Sequence, residues 1–410
     1  VSGALHPRHR IDIEPAAMVR ALAVCASPPP DAMDALERFV DPHREVIATL
    51  SARSGFDALL TALALPAADE VLLSAWTIPD MARVVTAHGL VPVPLDCDAD
   101  TLAPSVASLD AAITPRTRVV VLAQLFGARV DLRPYRAVCD ARGVLLVDDD
   151  AQGFTGLARL RAATAGHVSL HSFGSIKTAT ALGGGLMRVR DATVRARVRD
   201  VMRAWPVQST ARYARKVASY LGLAGLRAPS RYGAFARGVE RNGSSLDAVM
   251  TAAVKGFPAA TAEALVQAIR ARPCAALCAT LHASLRDFDD ARITQRRDAG
   301  ERLRRALPGV PVLGAAMTDR THWLFAVRVR DPDALVQTLR REGLDAARGT
   351  STITALTAPP SRPDAHPTVC ARWPAEMVFL PAYPEVPEAL RDHMADVVRA
   401  HASRGSPAVG

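Results

Sequence analysis

The chain has only three lysines, Lys177, Lys216 and Lys255, although Lys and Arg together number 50 in 410 residues. Every other cation is arginine, which keeps its proton and cannot act as an amine nucleophile, whereas lysine can lose its proton and form a Schiff base. Aromatic residues make up 5% of the sequence, so despite a net charge of +9 there is little to stack on nucleotide bases. The basic residues are also spread along the chain instead of being gathered in a patch, and nucleic-acid binding is not expected. The six cysteines, at 25, 97, 139, 274, 278 and 370, form no CxxC pair and no Cys/His cluster with zinc spacing. Reduced thiols, no metal and a cytoplasmic home are therefore expected. No apolar run approaches the roughly 18 residues of a membrane span, and the opening "VSGALHPRHRIDIEP" lacks a signal-like apolar stretch. No GxGxxG follows the first strand, which removes the usual nicotinamide-binding signature.

What is present is an alternation of short Val-rich runs and amphipathic segments. Strands are predicted at 70–74, 91–95, 118–124, 144–149, 168–173 and 185–190, with helices between the earlier ones. Continuous apolar strands separated by helices predict an α/β fold with a mainly parallel sheet covered on both faces. The expected division is an N-terminal segment 1–44, a large α/β domain 45–270 with an Arg-rich helical segment over 195–250, a smaller C-terminal α+β domain 271–402, and a flexible tail 403–410. "VASYLGLAGL" (217–226) reads as a packed helix, and Cys274 and Cys278 as neighbours on one helix face.

In open α/β sheets, ligands sit beyond the carboxyl ends of the strands. "VLLVDDDAQ" ends a strand with Asp148, Asp149, Asp150 and then Gln152; "HSFGSIK" puts Ser172 at another strand end, five residues before Lys177. "SARSGFDALLTAL" places small residues immediately before a helix, whose free N–H groups could hold a phosphate. A phosphate cradle, a buried acid and an isolated lysine are what pyridoxal phosphate requires. His171 should point away from Ser172 into the core, and Gly183–Gly185 should let the chain turn tightly after the lysine.

The segments "SGFDAL" (54–59), "DDDAQ" (148–152) and "SFGSIK" (172–177), in this order and spacing, resemble the DegT/DnrJ/EryC1/StrS sugar-aminotransferase family of fold-type-I pyridoxal-phosphate enzymes. Weaker echoes lie at 113–127 and 378–388. The resemblance implies a large domain with a seven-stranded sheet and a smaller C-terminal domain. It implies a Schiff-base link at Lys177, which also moves the substrate proton, with Asp149 on the pyridine nitrogen and Gln152 on the ring oxygen. Ser172 and the turn Ser54–Gly55–Phe56 would hold the phosphate. A homodimer acting on an amino-acid donor and a keto sugar or cyclitol acceptor is likewise implied.

The sequence departs from that pattern in four places. Phe56 stands where the phosphate turn carries Thr. "SAWTIPD" puts Ile78 after Thr77, so either Trp76 covers the ring or an aliphatic lid does. The Gly-x-Asn-x-Arg stretch by which a partner subunit reaches the phosphate is replaced by "VKGFPAAT" (254–261), where Lys255 could substitute. The usual His-Tyr-Pro segment is replaced by "ARGTSTITALTAPP" (347–360), where Arg348 could fork onto a substrate carboxylate. Decarboxylation, elimination or carbon–carbon bond formation on the same cofactor is the alternative enzyme reading, and a non-catalytic cofactor-binding protein is the other.

Overall fold

The computed structural model describes residues 3–254, 256–349 and 353–404. Two N-terminal helices, α1 (Pro15–Ala26) and α2 (Ala32–Val40), lead into a seven-stranded sheet. Its strands are β1 (Val46–Thr49), β2 (Glu70–Ser74), β4 (Val91–Leu95), β5 (Thr117–Ala123), β6 (Leu145–Asp149), β7 (Val168–Ser172) and β8 (Gly185–Val189). The order across the sheet is β1-β8-β7-β6-β5-β2-β4. The five neighbours from β7 to β4 run parallel, while β8 pairs antiparallel with both β7 and β1. All six strands expected from the Val-rich runs are present, with bounds within a residue. Strand β1 was not expected: "VIAT" is four residues long and gains its place only from pairing with β8.

Between the strands run α3 (Ala52–Leu63), α4 (Pro79–Ala87), α5 (Val106–Ala112), α6 (Arg133–Ala141) and α7 (Leu157–Arg161). Alternate strand residues serve opposite faces. Val71, Leu73, Val119 and Val121 pack with Phe56, Leu59 and Leu60 of α3, whereas Leu72, Val120 and Leu122 pack with Leu109 and Tyr135 of α5 and α6. Each such side chain contributes about 1.5–3 kcal/mol by leaving water, which makes the sheet a rigid platform for whatever its strand ends carry.

A helical segment follows the sheet: α8 (Ala192–Arg203), α9 (Thr210–Leu223), α10 (Pro229–Arg241), α11 (Leu246–Val254) and α12 (Ala262–Ile269). The expected boundaries at 44 and 271 do not match the packing. Met18 of α1 and Leu36 of α2 share a core with Tyr213 and Val217 of α9, and with Leu277 and Leu281 of α13 (Ala275–Arg286). The N-terminal segment and α13 therefore pack with the sheet unit. Cys274 and Cys278 lie in this same core, and all six cysteines are free.

The smaller unit comprises α14 (Ala291–Arg305), β9 (Phe325–Arg328), α15 (Pro332–Arg341), the short α16 (Trp373–Glu376), β11 (Met377–Leu380) and α17 (Glu388–Arg404). Its core gathers Leu303, Val327, Leu335, Val378 and Val398 around the antiparallel β9–β11 pair. The two-residue strands β3 (Trp76–Thr77) and β10 (Thr354–Ala355) pair across the two units. No helix among the described residues is long and apolar enough to cross a membrane, and no His, Cys, Asp and Glu group among them could hold a metal ion.

Candidate active site

The carboxyl ends of β6 and β7, the turn after β7 and the N-terminus of α3 converge on a cavity of about 490 Å³. Asp149, Gln152, Ser172 and Lys177 all line it. Lys177 sits in a turn whose N–H donates to the Gly174 carbonyl (2.9 Å), and its Nζ lies 4.3 Å from the centre of the Trp323 ring. Burial pushes the Lys177 ammonium down to about 8, with Asp149 opposing that shift and Arg53 adding to it. Burial lifts the Asp149 carboxyl to about 6, against the pull of the Ala151 N–H (3.2 Å) and of Lys177. At neutral pH the cavity thus holds an ionised acid and a lysine much closer to losing its proton than usual. Gln152 is fixed by the Phe126 N–H, which donates to its Oε1 at 3.1 Å.

Of the three consecutive aspartates, Asp149 alone lines the cavity. Asp148 receives a hydrogen bond from Gln124 Nε2 (2.8 Å) and lies 3.5 Å from Arg129 Nη2. Asp150 is bound by Arg129 and sits 3.2 Å from His171 Nδ1. Burial and the charge of Asp150 raise the Asp148 carboxyl, whereas Arg129 and His171 outweigh burial and hold Asp150 low. His171 is buried, as the strand alternation implies.

The unpaired N–H groups at the start of α3 lie one to two residues before the predicted phosphate turn at 54–56. Ser51 caps α3, accepting the Ser54 N–H on its Oγ at 3.1 Å, while the Gly55 N–H reaches the Ser51 carbonyl. Among the described residues, the N–H groups of Ala52 and Arg53 are left without an acceptor, and Ser51, Ala52 and Arg53 line the cavity. Ser54, Gly55 and Phe56 belong to the following turn. Ser54 and Phe56 are wholly buried, Phe56 in the core under the sheet, and Gly55 fits against Leu170, Thr49 and Met187. The glycine run after Lys177 turns the chain, with Gly184 at φ +87°, and brings β8 against the start of α3. A Cβ on Gly185 would lie 2.7 Å from the Ser51 carbonyl carbon and 2.8 Å from the Ala52 nitrogen.

Two further expectations are corrected. Trp76 does not line the cavity; its ring packs edge-on against Trp373 at 5.2 Å in a core, and Thr77, Ile78 and Met81 face the cavity instead. Arg348 lies away from the cavity, its Nη1 2.6 Å from Asp333 and its Nε donating to the Met377 carbonyl at 3.2 Å. That pairing satisfies the guanidinium locally and leaves no fork for a substrate. Lys255 and Thr350–Thr352 lie outside the described residues. The sequence reading also missed Ser51, Arg53, Gln124 and Lys216. The Ser51-x-x-Ser54 spacing is a capping signal that could have located the helix start, and the scarcity of lysine applies to Lys216 as much as to Lys177.

Residues 33–226 match the family model described as the DegT/DnrJ/EryC1/StrS aminotransferase family. Among solved structures, the aminotransferase TlmJ from Streptoalloteichus hindustanus superposes with a TM-score of 0.69 at 20% identity, over 98% of this chain and 100% of that one. DesI, determined in the presence of its TDP-sugar product, gives 0.68 at 21% over 99% and 94%. The PLP form of the putative sugar aminotransferase Spr1654 from Streptococcus pneumoniae gives 0.66 at 15% over 98% and 99%. These likenesses show a common fold, that of the fold-type-I pyridoxal-phosphate enzymes. The matched residues include Asp149, Gln152, Ser172 and Lys177, and over that stretch the chain is similar to the DegT/DnrJ/EryC1/StrS aminotransferase family.

Proposed function

We propose that the protein is a pyridoxal-phosphate-dependent aminotransferase that moves an amino group from an amino-acid donor to the keto group of a sugar, cyclitol or related biosynthetic intermediate. One observation carries this reading: a lysine with its proton held loosely, at about 8, shares a cavity with a single lining carboxylate that ionises at about 6. The donor set fits the cofactor. Lys177 offers an amine to its aldehyde, Asp149 a negative charge to its ring nitrogen, and Gln152 an amide to its ring oxygen. Ser172 and the free N–H groups of Ala52 and Arg53 offer hydrogen bonds to its phosphate. When bound, the cofactor supplies an electron sink and a carrier for the amino group.

The chain's own residues do the rest. With a pKa near 8, about a quarter of Lys177 is the free amine at pH 7.5, against roughly one in a thousand for an unperturbed lysine. It can therefore accept and return a proton at its Nζ without a large cost in either direction. Asp149 is ionised at that pH and favours a proton on any basic nitrogen placed beside it. Leu50, Ile78, Met81 and Ala123 give the cavity an apolar wall, beside which charges interact more strongly than in water.

The sugar-type acceptor is supported by the similarity to the family and by neighbours such as DesI, determined in the presence of its TDP-sugar product. A cytoplasmic two-fold dimer is part of the same proposal. The test is to load the purified protein with pyridoxal phosphate and offer a panel of amino acids, following loss of the cofactor's visible band and its return on adding keto acceptors. Carbon dioxide or ammonia release without a returned band would move the assignment to decarboxylation or elimination. No response to any donor would favour a non-catalytic binder.

A further inference from the structure

Both lysines among the described residues line the same cavity. Lys216 comes from α9, in the helical segment, and its place is fixed by its neighbours on that helix. Tyr213 and Val217 are buried in the core, the Tyr213 hydroxyl donates to the Ala181 carbonyl at 2.9 Å, and the Tyr220 hydroxyl donates to the Ala253 carbonyl at 3.0 Å. The helix is thereby bolted on one side to the turn that follows Lys177 and on the other to α11. Lys216 has no hydrogen-bond or ion-pair partner among the described residues. The charges that act on it are those of Arg53 and Arg212, both cations, and these with burial bring its ammonium down to about 8.

Arg53 is the second residue of α3, so one of the charges that act on Lys216 comes from the helix N-terminus whose free N–H groups open into the same cavity. Arg53 itself is held by Asp80 and lies over the Phe257 ring at 5.0 Å, leaving little freedom for its charge to move away. Arg212 lines the cavity one helical turn before Lys216. Among the described residues Asp149 is the only acid lining the cavity, and it acts on Lys177. One end of the cavity therefore collects three cations and a helix N-terminus; Asp80 pairs with Arg53, and among the described residues no acid pairs with Arg212 or Lys216. Clustered, partly buried cations of this kind repel one another until an anion joins them, and a phosphate monoester carries the charge and the oxygens to do so.

We propose that Lys216 is a direct ligand of the cofactor's phosphate, supplied by the same chain that supplies Lys177. The assignment rests on the pyridoxal-phosphate reading above. It accounts for a chain without the Asn and Arg through which the family's partner subunit reaches the phosphate: here the helical segment closes that end from within.

The experiment compares apo-protein with its Lys216→Met and Lys216→Arg variants, titrated with pyridoxal phosphate and with pyridoxal, which lacks the phosphate. Lys216→Met should weaken pyridoxal phosphate binding at least tenfold and leave pyridoxal binding within about twofold. Retained pyridoxal binding would also show that the variant's site is folded. Lys216→Arg should recover part of the loss, since a guanidinium also bonds phosphate. Borohydride reduction of the saturated wild type and of Lys216→Met should label Lys177 in both. An unlabelled wild type would sink the cofactor reading and this assignment with it. A labelled wild type whose Lys216→Met variant binds pyridoxal phosphate with unchanged affinity would overturn the Lys216 assignment alone. If that same variant shows a raised KM instead, the anion at this end belongs to the substrate.

Discussion

Replacing Asp149 by Asn should stabilise the cofactor-free protein while removing its activity. The carboxyl titrates at about 6 in the folded chain against 3.8 for an ordinary aspartate, and its residue is 8% exposed. A group whose folded pKa is raised helps folding below its unfolded value and loses that help as pH rises through the folded one. At pH 7.5 the ionised carboxylate therefore opposes folding by about 3 kcal/mol, at about 1.4 kcal/mol per tenfold change in acidity. At pH 5 roughly half of that cost remains. Asparagine has nearly the same shape, can still accept the Ala151 N–H, and carries no charge to desolvate. In a thermal melt of apo-protein the variant should unfold roughly 3 °C higher at pH 7.5, with the gap about halved at pH 5. Lys177 should lose its proton below pH 8, since Asp149 no longer holds it. A lower melting point at pH 7.5, or a gap that ignores pH, would show that the carboxylate is not strained by its site.

Two further changes test the walls of the cavity. Gly185→Ala puts a methyl group against the Ser51 and Ala52 backbone; it should cost about 1–3 kcal/mol of stability and weaken pyridoxal phosphate binding by roughly tenfold, read by denaturant unfolding and by cofactor titration. Arg129→Met leaves Asp148 and Asp150 buried without their shared cation; a loss of about 3–5 kcal/mol is expected, larger at pH 8 than at pH 5, whereas a pH-independent loss would point to packing alone.

The strands were legible because burial on both faces demands unbroken runs such as "EVLLS" and "VPVPL", and such runs are visible without a fold. Strand β1 was not, because four residues carry no pattern until β8 lies beside them. The lysine, the middle aspartate and the glutamine follow strand ends closely, so sequence spacing reaches them. What holds Asp148 and Asp150 aside does not follow from spacing, since Arg129 comes from the loop after another strand. The start of α3 was placed late because the small residues at 54–55 suggested a close approach of backbone to ligand. Their smallness serves the packing of α3 on β7 and β8 instead, and the cap one turn earlier opens the helix. Trp76 and Arg348 were misjudged for one reason: their partners, Trp373 and Asp333, are named only by tertiary structure. Lys216 lies on a helix that no strand end orders, and only packing brings it to the site.

The departures from the family pattern bear on one another. Among the described residues, the aromatic rings lining the cavity are those of Tyr213 and Phe257, both outside the sheet unit's strand ends, while Ile78, Met81, Ala123 and Ala151 supply its apolar wall. An aliphatic wall buries a flat ligand through contact area, without the directional electrostatics of a stacked ring. On the cofactor reading, affinity must then be concentrated at the polar edges: Asp149 and Gln152 on one side, and the α3 N-terminus with its surrounding cations on the other. A site that gives up stacking needs a stronger phosphate end, and three cations gathered there answer that need. The same logic assigns a role to the Arg-rich helical segment, whose surface arginines otherwise look interchangeable. Within residues 195–250 the single lysine is Lys216, on the stretch of α9 that lines the cavity, where a compact ammonium is a point charge in place of a planar fork. The consequence is measurable in the wild type alone: pyridoxal phosphate should be favoured over pyridoxal by a margin that shrinks as salt rises, because charge, more than contact area, sets it.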